Sequence, residues 1–288
     1  YRVIGSIDVP AKMGEDEEAF AEMRDQTRGE YGGLGIEVTS EEGVIKIISP
    51  MDDTPAARAG LQAGDYITAI NSQSLLGLAL SDAVKQMRGK AGEAVNLTIV
   101  RGKGDPFDVK LTREVINVKS AKARMEGDYG YLRVSAFNEK TTAEATTALR
   151  DLMTKNPKMK GLVLDLRNNP GGLLDQAIGI SDMFLSGGEV VSQRGRAPDD
   201  IERYNAQPGD LTGGLPMTVL INSGSASAAE IVAGALQDRK RAEIVGLTSF
   251  GKGSVQTIIP LGSNGALRLT TARYYTPSGK SIQATGIV

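Results

Sequence analysis

Two short segments of the chain contain the side chains that could do chemistry. The first, NSGSASAAEI at 222–231, has three serines before a predicted helix whose apolar residues recur at 228, 231, 232, 235 and 236. Free backbone N–H groups and the helix dipole at such a junction can stabilise a developing oxyanion beside a nucleophilic serine. The same pattern is typical of an ordinary serine N-cap, so this segment alone leaves both interpretations open.

The second segment, GLTSFGKGS at 246–254, has a glycine, four residues and then Gly-Lys, as in a phosphate-binding Walker A loop. In such a loop the lysine is followed by serine or threonine, and the loop opens a helix. Here Gly253 follows Lys252, and residues 254–260 alternate in the manner of a strand. The pattern therefore disfavours a phosphate site and leaves Lys252 as either a solvated turn residue or a reactive group.

The composition restricts the chemistry that these serines and this lysine could share. The chain has no histidine and no cysteine, which excludes Ser-His-Asp and Cys-His mechanisms, disulfides and thiolate metal sites. A serine still needs a base, and a lysine can serve when an apolar site lowers its pKa. A Ser-Lys pair is thus among the few nucleophilic arrangements that remain.

Length and charge bound the class of protein. With 288 residues, 40% of them hydrophobic, the chain can form about two domains with cores of their own. The 33 basic and 35 acidic residues nearly cancel, so no nucleic-acid partner is expected. No apolar run reaches the ~20 residues of a membrane span, and the first residues lack the pattern of a signal peptide. We expect a trimmed chain with a truncated C-terminus.

The spacing of apolar residues divides the chain into three parts. Residues 14–30 are acidic at the front and basic at the back, which suits a short surface helix. Short apolar alternations then indicate a mostly β module that closes near Arg113. The glycine-rich stretch 187–214 is predicted to be a long surface loop. In the last part, predicted strands (131–136, 161–166, 217–221, 255–259, 267–273) alternate with predicted helices (142–153, 173–184, 228–237).

Several motifs together resemble the carboxy-terminal processing proteases, the tail-specific serine peptidases of family S41 that carry a PDZ domain. They occur in the family order and cover residues 31–288: YGGLGIEV (31–38), VSAFNEKT (134–141), DLRNNPGG (165–172), GSASAAEIVAGALQD (224–238), SFGKGSVQ (249–256) and ARYYTPSGKSIQ (272–283). The resemblance implies an α+β or α/β fold, with a mixed-sheet protease core, packed helices and an inserted, mostly β PDZ domain.

Carried onto this sequence, the resemblance assigns three side chains to peptide-bond hydrolysis. Ser227 would be the nucleophile, with Ser223 and Ser225 as turn formers in the wrong register. Lys252 would be the general base. Gln256, four residues on, would hydrogen-bond the lysine and orient it.

The resemblance also implies an oxyanion hole made of backbone N–H groups. Ala228, directly after the nucleophile, would supply one donor and Gly172 the other, with Gly171 as the alternative. The Gly-Gly pair could equally be a strand-to-helix turn without substrate contact. Glu230 is expected to be structural, although a carboxylate there could help to orient the lysine.

The PDZ-like part would hold the free C-terminus of a substrate. Its glycine turn, Gly33-Leu34-Gly35-Ile36, would present N–H groups to the terminal carboxylate, and the adjoining strand would accept the peptide. Leu34, Ile36 and Val84 would line a pocket for the terminal side chain, unless they are plain core residues. Arg88 matches a position at which some relatives couple the PDZ domain to the active site.

These features predict a serine-type endopeptidase with an N-terminal helical segment of the core (1–30), a PDZ domain (31–113) and a protease core (114–288). The implied partners are proteins or peptides with a free, extended C-terminus, and the resemblance also allows an adaptor or a homo-oligomer. It implies no cofactor and no metal, and a location in the bacterial cell envelope, in the periplasm. The main alternative is a catalytically inactive peptide-binding scaffold or chaperone, and an NTPase is a weaker third.

Overall fold

The computed structural model describes residues 14–15, 17–41, 43–197, 199–260 and 266–288. The chain divides into two compact units. One unit, here called the insert, is Glu30–Val118. The other, the core unit, joins the described residues before Glu30 to Lys119–Val288. Each unit buries its own cluster of apolar side chains, as expected for two separately folded domains.

The described residues form six helices and eighteen strands. Those of the insert are β2 (Glu30–Gly33), β3 (Ile36–Glu41), β4 (Val44–Pro50), α2 (Pro55–Arg58), β5 (Tyr66–Ile70), β6 (Gln73–Ser74), α3 (Leu80–Met87), β7 (Ala94–Val100), β8 (Phe107–Thr112) and β9 (Glu114–Asn117). Those of the core unit are β1 (Gly14–Glu15), α1 (Glu17–Arg28), β10 (Ala121–Glu126), β11 (Tyr129–Val134), α4 (Thr141–Lys155), β12 (Leu162–Asp165), α5 (Leu174–Asp182), β13 (Gly188–Arg194), β14 (Ile201–Ala206), β15 (Met217–Ile221), α6 (Ala228–Asp238), β16 (Glu243–Gly246), β17 (Ser254–Pro260) and β18 (Ala266–Tyr275).

The insert is built on a six-stranded antiparallel sheet in the order β3-β4-β5-β7-β8, with β6 paired to β5. Alternation in the sequence produces its buried face: Val95, Leu97 and Ile99 of β7 are buried, whereas the residues between them are only partly covered. Ala83 and Met87, one helical turn apart on α3, pack into the same core. Strands β2 and β9 form a separate two-stranded sheet.

The core unit contains a five-stranded sheet in the order β10-β11-β12-β15-β16. Strands β11, β12, β15 and β16 are parallel, and β10 is antiparallel to β11. Strands β12 and β15 are short and mostly apolar, and their residues are buried or half-buried, as is typical of parallel strands inside a sheet. Their carboxyl ends lie at the same edge of the sheet, so the loops that follow them, 166–173 and 222–227, meet there.

A second sheet of the core unit has the order β1-β18-β13-β14, with β17 paired to β18. It corrects the prediction of a surface loop at 187–214, because this stretch forms the antiparallel hairpin of β13 and β14. The hairpin was not predicted because paired glycines and many polar residues are typical of loops. Val190 and Val191 are nevertheless fully buried against the main core.

The predicted fold class is confirmed, since both units mix helices with sheets. The helices predicted at 142–153, 173–184 and 228–237 correspond to α4, α5 and α6 with ends shifted by at most two residues. No described helix is long and apolar enough to cross a membrane.

Candidate active site

Ser227 occupies the N-cap of α6 with an unusual backbone conformation. Its φ of 53° and ψ of -113° lie in a region that favours glycine. Such strain costs about 1–3 kcal/mol and persists only where the surroundings enforce it. Here the Ser227 N–H donates to Glu230, and its carbonyl accepts the N–H groups of Glu230 and Ile231. The serine therefore stands on a sharp strand-to-helix turn, the usual setting of an exposed nucleophile.

The Glu230 carboxylate joins the serine turn to the lysine loop. It is fully buried, and its Oε2 atom accepts the N–H of Ser227 and the N–H of Lys252, both at 2.8 Å. Its Oε1 atom accepts the Gly251 N–H at 2.6 Å and the Ser249 hydroxyl at 2.5 Å. A carboxylate offers about four acceptor positions, so these donors saturate it. One oxygen atom thereby brings the backbones of Ser227 and Lys252 together.

Glu230 was expected to be structural, with a possible part in orienting the lysine, and in the structure it binds the backbones of both Ser227 and Lys252. Its signal was present in the sequence as the spacing Ser-x-x-Glu, since a Glu at N3 reaches back to the N-cap N–H. The bonds to residues 249–252 had no such local signal, because they join positions about twenty residues apart.

The loop that carries Lys252 is held from its other side by residues 283–287. The Ala284 N–H donates to the Gly251 carbonyl at 2.8 Å, and the Gly253 N–H donates to the Gln283 side-chain oxygen at 3.1 Å. A Cβ atom at position 253 would lie 2.4 Å from the Gln283 nitrogen, which explains the glycine there. The half-buried Lys252 therefore sits on a fixed backbone, and its amine forms no hydrogen bond with any described residue.

Gln256 lies in β17 just after a bulge between Val255 and Gln256, and its side chain is exposed. Across the described part of the chain its amide forms no hydrogen bond, so the predicted contact with Lys252 is not made in this structure. The glutamine that does bind the lysine loop is Gln283, the last residue of the motif at 272–283.

The loop after β12 brings Gly171 against Ser227, and the neighbouring Gly172 against Phe137. A Cβ atom on Gly171 would lie 2.8 Å from the Ser227 Cβ and 3.0 Å from the Ala228 nitrogen, so only glycine fits. The Gly171 N–H is already used, since it donates to Asn169 Oδ1 at 2.9 Å. The N–H groups of Gly172 and Ala228 donate to no described atom. Of the two glycines considered, Gly172 is therefore the one with a free donor.

Further bonds fix this loop to the serine turn. Asn168 and Asn222 pair reciprocally, with bonds of 2.8 and 2.9 Å, and the Ala226 N–H donates to the Asn169 carbonyl at 2.9 Å. The Ser225 hydroxyl donates to the Leu166 carbonyl at 2.8 Å, which accounts for it as a turn former. The roles of nucleophile, base and oxyanion donors stay predictions; the structure brings together the backbones of Ser227 and Lys252 and places Gly171 against Ser227.

A buried carboxylate at the end of β12 immediately precedes the same loop. Asp165 accepts two bonds from the Arg167 guanidinium at 2.9 and 2.8 Å and one from the Tyr131 hydroxyl, and Arg133 lies 3.3 Å away. Burial alone would raise the pKa of Asp165, but hydrogen bonds from Arg167 and Tyr131 outweigh it and lower the pKa to about 2. The ionised carboxylate is thus part of what shapes the loop.

We expect Asp165→Asn to destabilise the core unit at neutral pH. Because the folded-state pKa lies below the ordinary 3.8, ionised Asp165 stabilises the fold above about pH 4, and this stabilisation is lost as the pH falls toward 2. The shift corresponds to about 2 kcal/mol at pH 7. Urea unfolding of both proteins should show this difference at pH 7 and a smaller one at pH 3.

Asp128→Asn serves as the control, since Asp128 pairs with Lys160 at 2.6 Å on the open surface. An exposed pair of this kind contributes ~0.5 kcal/mol or less. Equal losses in the two variants, or a constant loss for Asp165→Asn from pH 7 to pH 3, would contradict the proposed contribution of Asp165.

The insert contains a small cavity of about 90 Å³ that includes the predicted glycine turn. The N–H groups of Leu34 and Gly35 donate to no described atom, and Gly35 has a φ of 73°. The Leu34 side chain is buried in the core of the insert, whereas Ile36 and Val84 are half-buried beside it. All of the predicted PDZ residues line this cavity: Gly33, Leu34, Gly35, Ile36, Val84 and Arg88.

Arg88 lies at the cavity mouth. Its guanidinium carbon is 4.7 Å from the centre of the Tyr31 ring, within the range of a cation–π contact. Burial raises the pKa of Tyr31, and the charge of Arg88 offsets part of that rise. The cavity thus combines two free N–H donors with one fixed positive charge.

Comparison with known families agrees with this geometry. The profile of peptidase family S41 matches residues 128–288, and that of a PDZ domain matches residues 46–101. The chain is 60% identical over 275 residues to the carboxy-terminal-processing protease of Bartonella bacilliformis, covering 94% of this chain and 63% of that protein. It is 38% identical over 263 residues to a probable CtpA-like serine protease of Staphylococcus aureus, covering 90% and 52%. The chain therefore spans between about half and two thirds of these relatives.

Two solved structures have similar folds. The photosystem II D1 C-terminal processing protease is 30% identical, with a TM-score of 0.57, and the match covers 95% of this chain and 75% of that one. A putative S41 protease of Bacteroides fragilis has a TM-score of 0.58 over 97% of this chain and 84% of its own. Its identity is 18%, so it bears on the fold alone.

Proposed function

The chain belongs to peptidase family S41, and on that premise we propose that it is a serine endopeptidase that cleaves C-terminal tails of proteins held by its PDZ domain. The observation that supports this best is the Glu230 carboxylate, whose one oxygen binds the N–H groups of both Ser227 and Lys252. Because the chain has no histidine, Ser227 needs another base, and this carboxylate holds the backbone of a lysine close to that of the serine.

In the proposed mechanism, the Lys252 amine acts as the base and takes the proton of the Ser227 hydroxyl as Oγ attacks the scissile carbonyl carbon. The resulting oxyanion accepts hydrogen bonds from the free N–H groups of Gly172 and Ala228. The lysine returns its proton to the leaving amine, the C–N bond breaks, and an acyl ester forms on Ser227. Lys252 then activates the water that hydrolyses this ester. Each oxyanion donor of this kind contributes about 10²- to 10³-fold in rate.

Glu230→Gln should lower kcat about 10- to 100-fold and leave KM nearly unchanged. A glutamine offers one acceptor oxygen, and its NH₂ group would face donors, so the bonds that hold Ser227 and Lys252 together would be lost in part. The insert, which we propose binds the tail, is unaltered. Steady-state kinetics with a tailed protein substrate would separate the two constants.

Glu144→Gln is the matched control. Glu144 also accepts several bonds through one oxygen, from the Ser120 N–H at 2.7 Å, the Ser120 hydroxyl at 2.8 Å and the Ala121 N–H at 3.3 Å. Its loss should cost comparable stability and change kcat less than twofold. If both variants lost kcat equally, Glu230 would be structural only.

The proposed tail site predicts a strong preference for a free C-terminal carboxylate. The N–H groups of Leu34 and Gly35, with Arg88 beside them, would each bind the acid better than the amide, and charge-assisted bonds contribute ~1.5–3 kcal/mol. Amidating a tail peptide should weaken binding to this protein at least tenfold in a fluorescence titration. Acetylating the other end of the same peptide should change nothing, and equal affinities for acid and amide would rule out carboxylate capture.

Covalent labelling distinguishes the peptidase from an inactive peptide-binding scaffold. A serine-directed phosphonate should modify Ser227 in the native chain and lose its target in Ser227→Ala. Unlabelled native protein that still binds tail peptides would favour the scaffold. We further propose a periplasmic location in the bacterial envelope, to be checked by fractionating cells that express the natural gene, and an adaptor or a second copy as a partner stays a prediction.

A further inference from the structure

The edge strands of the core unit differ in their charges. Five described strands of this unit, β1, β10, β14, β16 and β17, have one edge unpaired within the described residues. Edge strands usually carry charged residues that prevent other chains from pairing with them. Four of the five do so, through Glu15 in β1, Lys122, Arg124 and Glu126 in β10, Glu202 and Arg203 in β14, and Glu243 in β16.

Strand β17 has the sequence SVQTIIP and contains no charged residue. It pairs with β18 along one edge, and no described strand pairs with the other. After the bulge at Val255/Gln256 the register is regular from Gln256 to Pro260, a length of about 17 Å. The side chains of Gln256 to Ile259 are exposed, with Ile258 at 38% and Ile259 at 44%. This edge is therefore open to an added strand.

The open edge of β17 lies next to the proposed general base in the chain. Strand β17 begins at Ser254, two residues after Lys252, so the open edge runs directly away from the proposed base. A polypeptide added to this edge would be extended, with its backbone N–H and C=O groups paired to β17. An uncharged edge with β-branched residues suits an uncharged, β-prone segment of substrate.

We propose that the outer edge of β17 binds the extended substrate chain beside the Ser227–Lys252 pair as an additional β-strand. This inference rests on the proposed peptidase function. It gives the core unit its own means of holding the segment to be cut, and it selects uncharged, extended segments over helical or charged ones. Pairing of two copies of this chain through β17 is the competing occupant.

Disulfide trapping tests the proposal, since the chain has no cysteine of its own. Ile258→Cys and a control, Lys122→Cys on the charged edge strand β10, are made in a Ser227→Ala background. Each is mixed with tail peptides that carry one cysteine at successive positions. Because side chains of a strand alternate between faces, cysteine at alternate peptide positions should crosslink to position 258 at least tenfold faster than to position 122. Equal rates in the two variants, or rates that do not alternate, would overturn the proposal.

A second measurement needs no substitution near the site. Peptides with a single N-methyl group at successive positions lose one backbone donor each, and the wild-type protein should show KM raised at least tenfold at alternate positions only. Cleavage of the parent peptide without this alternation would overturn the edge proposal and leave the peptidase function standing. Alternating crosslinks without any cleavage would support the binding of a strand to β17 and contradict the proposed peptidase function. If Ile258→Cys instead joined two protein copies in the absence of peptide, the edge would be a dimer contact.

Discussion

Replacing Ser227 should abolish peptide cleavage, and the two informative replacements should differ in stability. Ser227→Ala removes the hydroxyl and keeps the unfavourable backbone, whereas Ser227→Gly removes the hydroxyl and also relieves a φ of 53°. Both should lose at least about 10⁴-fold in kcat, because binding and oxyanion donors alone give only residual rates. Cleavage products of a tailed protein, measured by mass spectrometry, would report the rate.

The stability of the pair provides the internal check. We expect the free energy of unfolding of Ser227→Gly to exceed that of Ser227→Ala by about 1 kcal/mol, because glycine adopts the positive φ of this position without strain. Ser227→Gly should therefore unfold at a higher urea concentration. Equal stability would mean that the turn is unstrained. Retained cleavage in either variant would show that a different residue is the nucleophile.

Lys252→Ala should lower kcat about 10³- to 10⁴-fold, the range supplied by a positioned general base. The loop should stay in place, because Glu230 and Ala284 bind its backbone and not its side chain. If the proposed nucleophile and base act as a unit, the double variant Ser227→Ala with Lys252→Ala should be no slower than either alone.

Rescue by small amines would show that the missing group is the base. Methylamine added to Lys252→Ala should restore part of the rate, and more of it at higher pH, where more of the amine is neutral. Lys122→Ala, on the exposed face of β10, is the matched control and should cleave at the wild-type rate. Near-normal rates for Lys252→Ala would remove this lysine from the mechanism.

The sequence predicted those parts of the protein that local patterns encode. Periodicity located α4, α5 and α6, and the absence of histidine limited the partners that Ser227 could have. It did not predict the left-handed backbone of Ser227, which depends on bonds to Glu230 and on the close approach of Gly171. Such long-range contacts leave no periodic signal in the chain.

The same limit explains why Gln256 and residues 187–214 differ from expectation. The family resemblance implied that Gln256 orients the lysine, but Gln256 follows a bulge after Val255, and its side chain is exposed to solvent. The position of a bulge depends on the pairing partner, here β18, so the sequence of one strand does not predict it. The β13–β14 hairpin was missed because strands rich in polar residues resemble loops until their partner is known.

The attachment of the lysine loop to residues 283–287 has a consequence for how the protein is made. A ribosome delivers Ser227 and Lys252 well before Gln283, Ala284 and Ile287, whose bonds fix the loop. An emerging chain that already has its helices and its serine turn would hold the lysine loop through Glu230, without the bonds to residues 283–287. The proposed Ser227–Lys252 site can therefore be complete only after synthesis has passed residues 283–287.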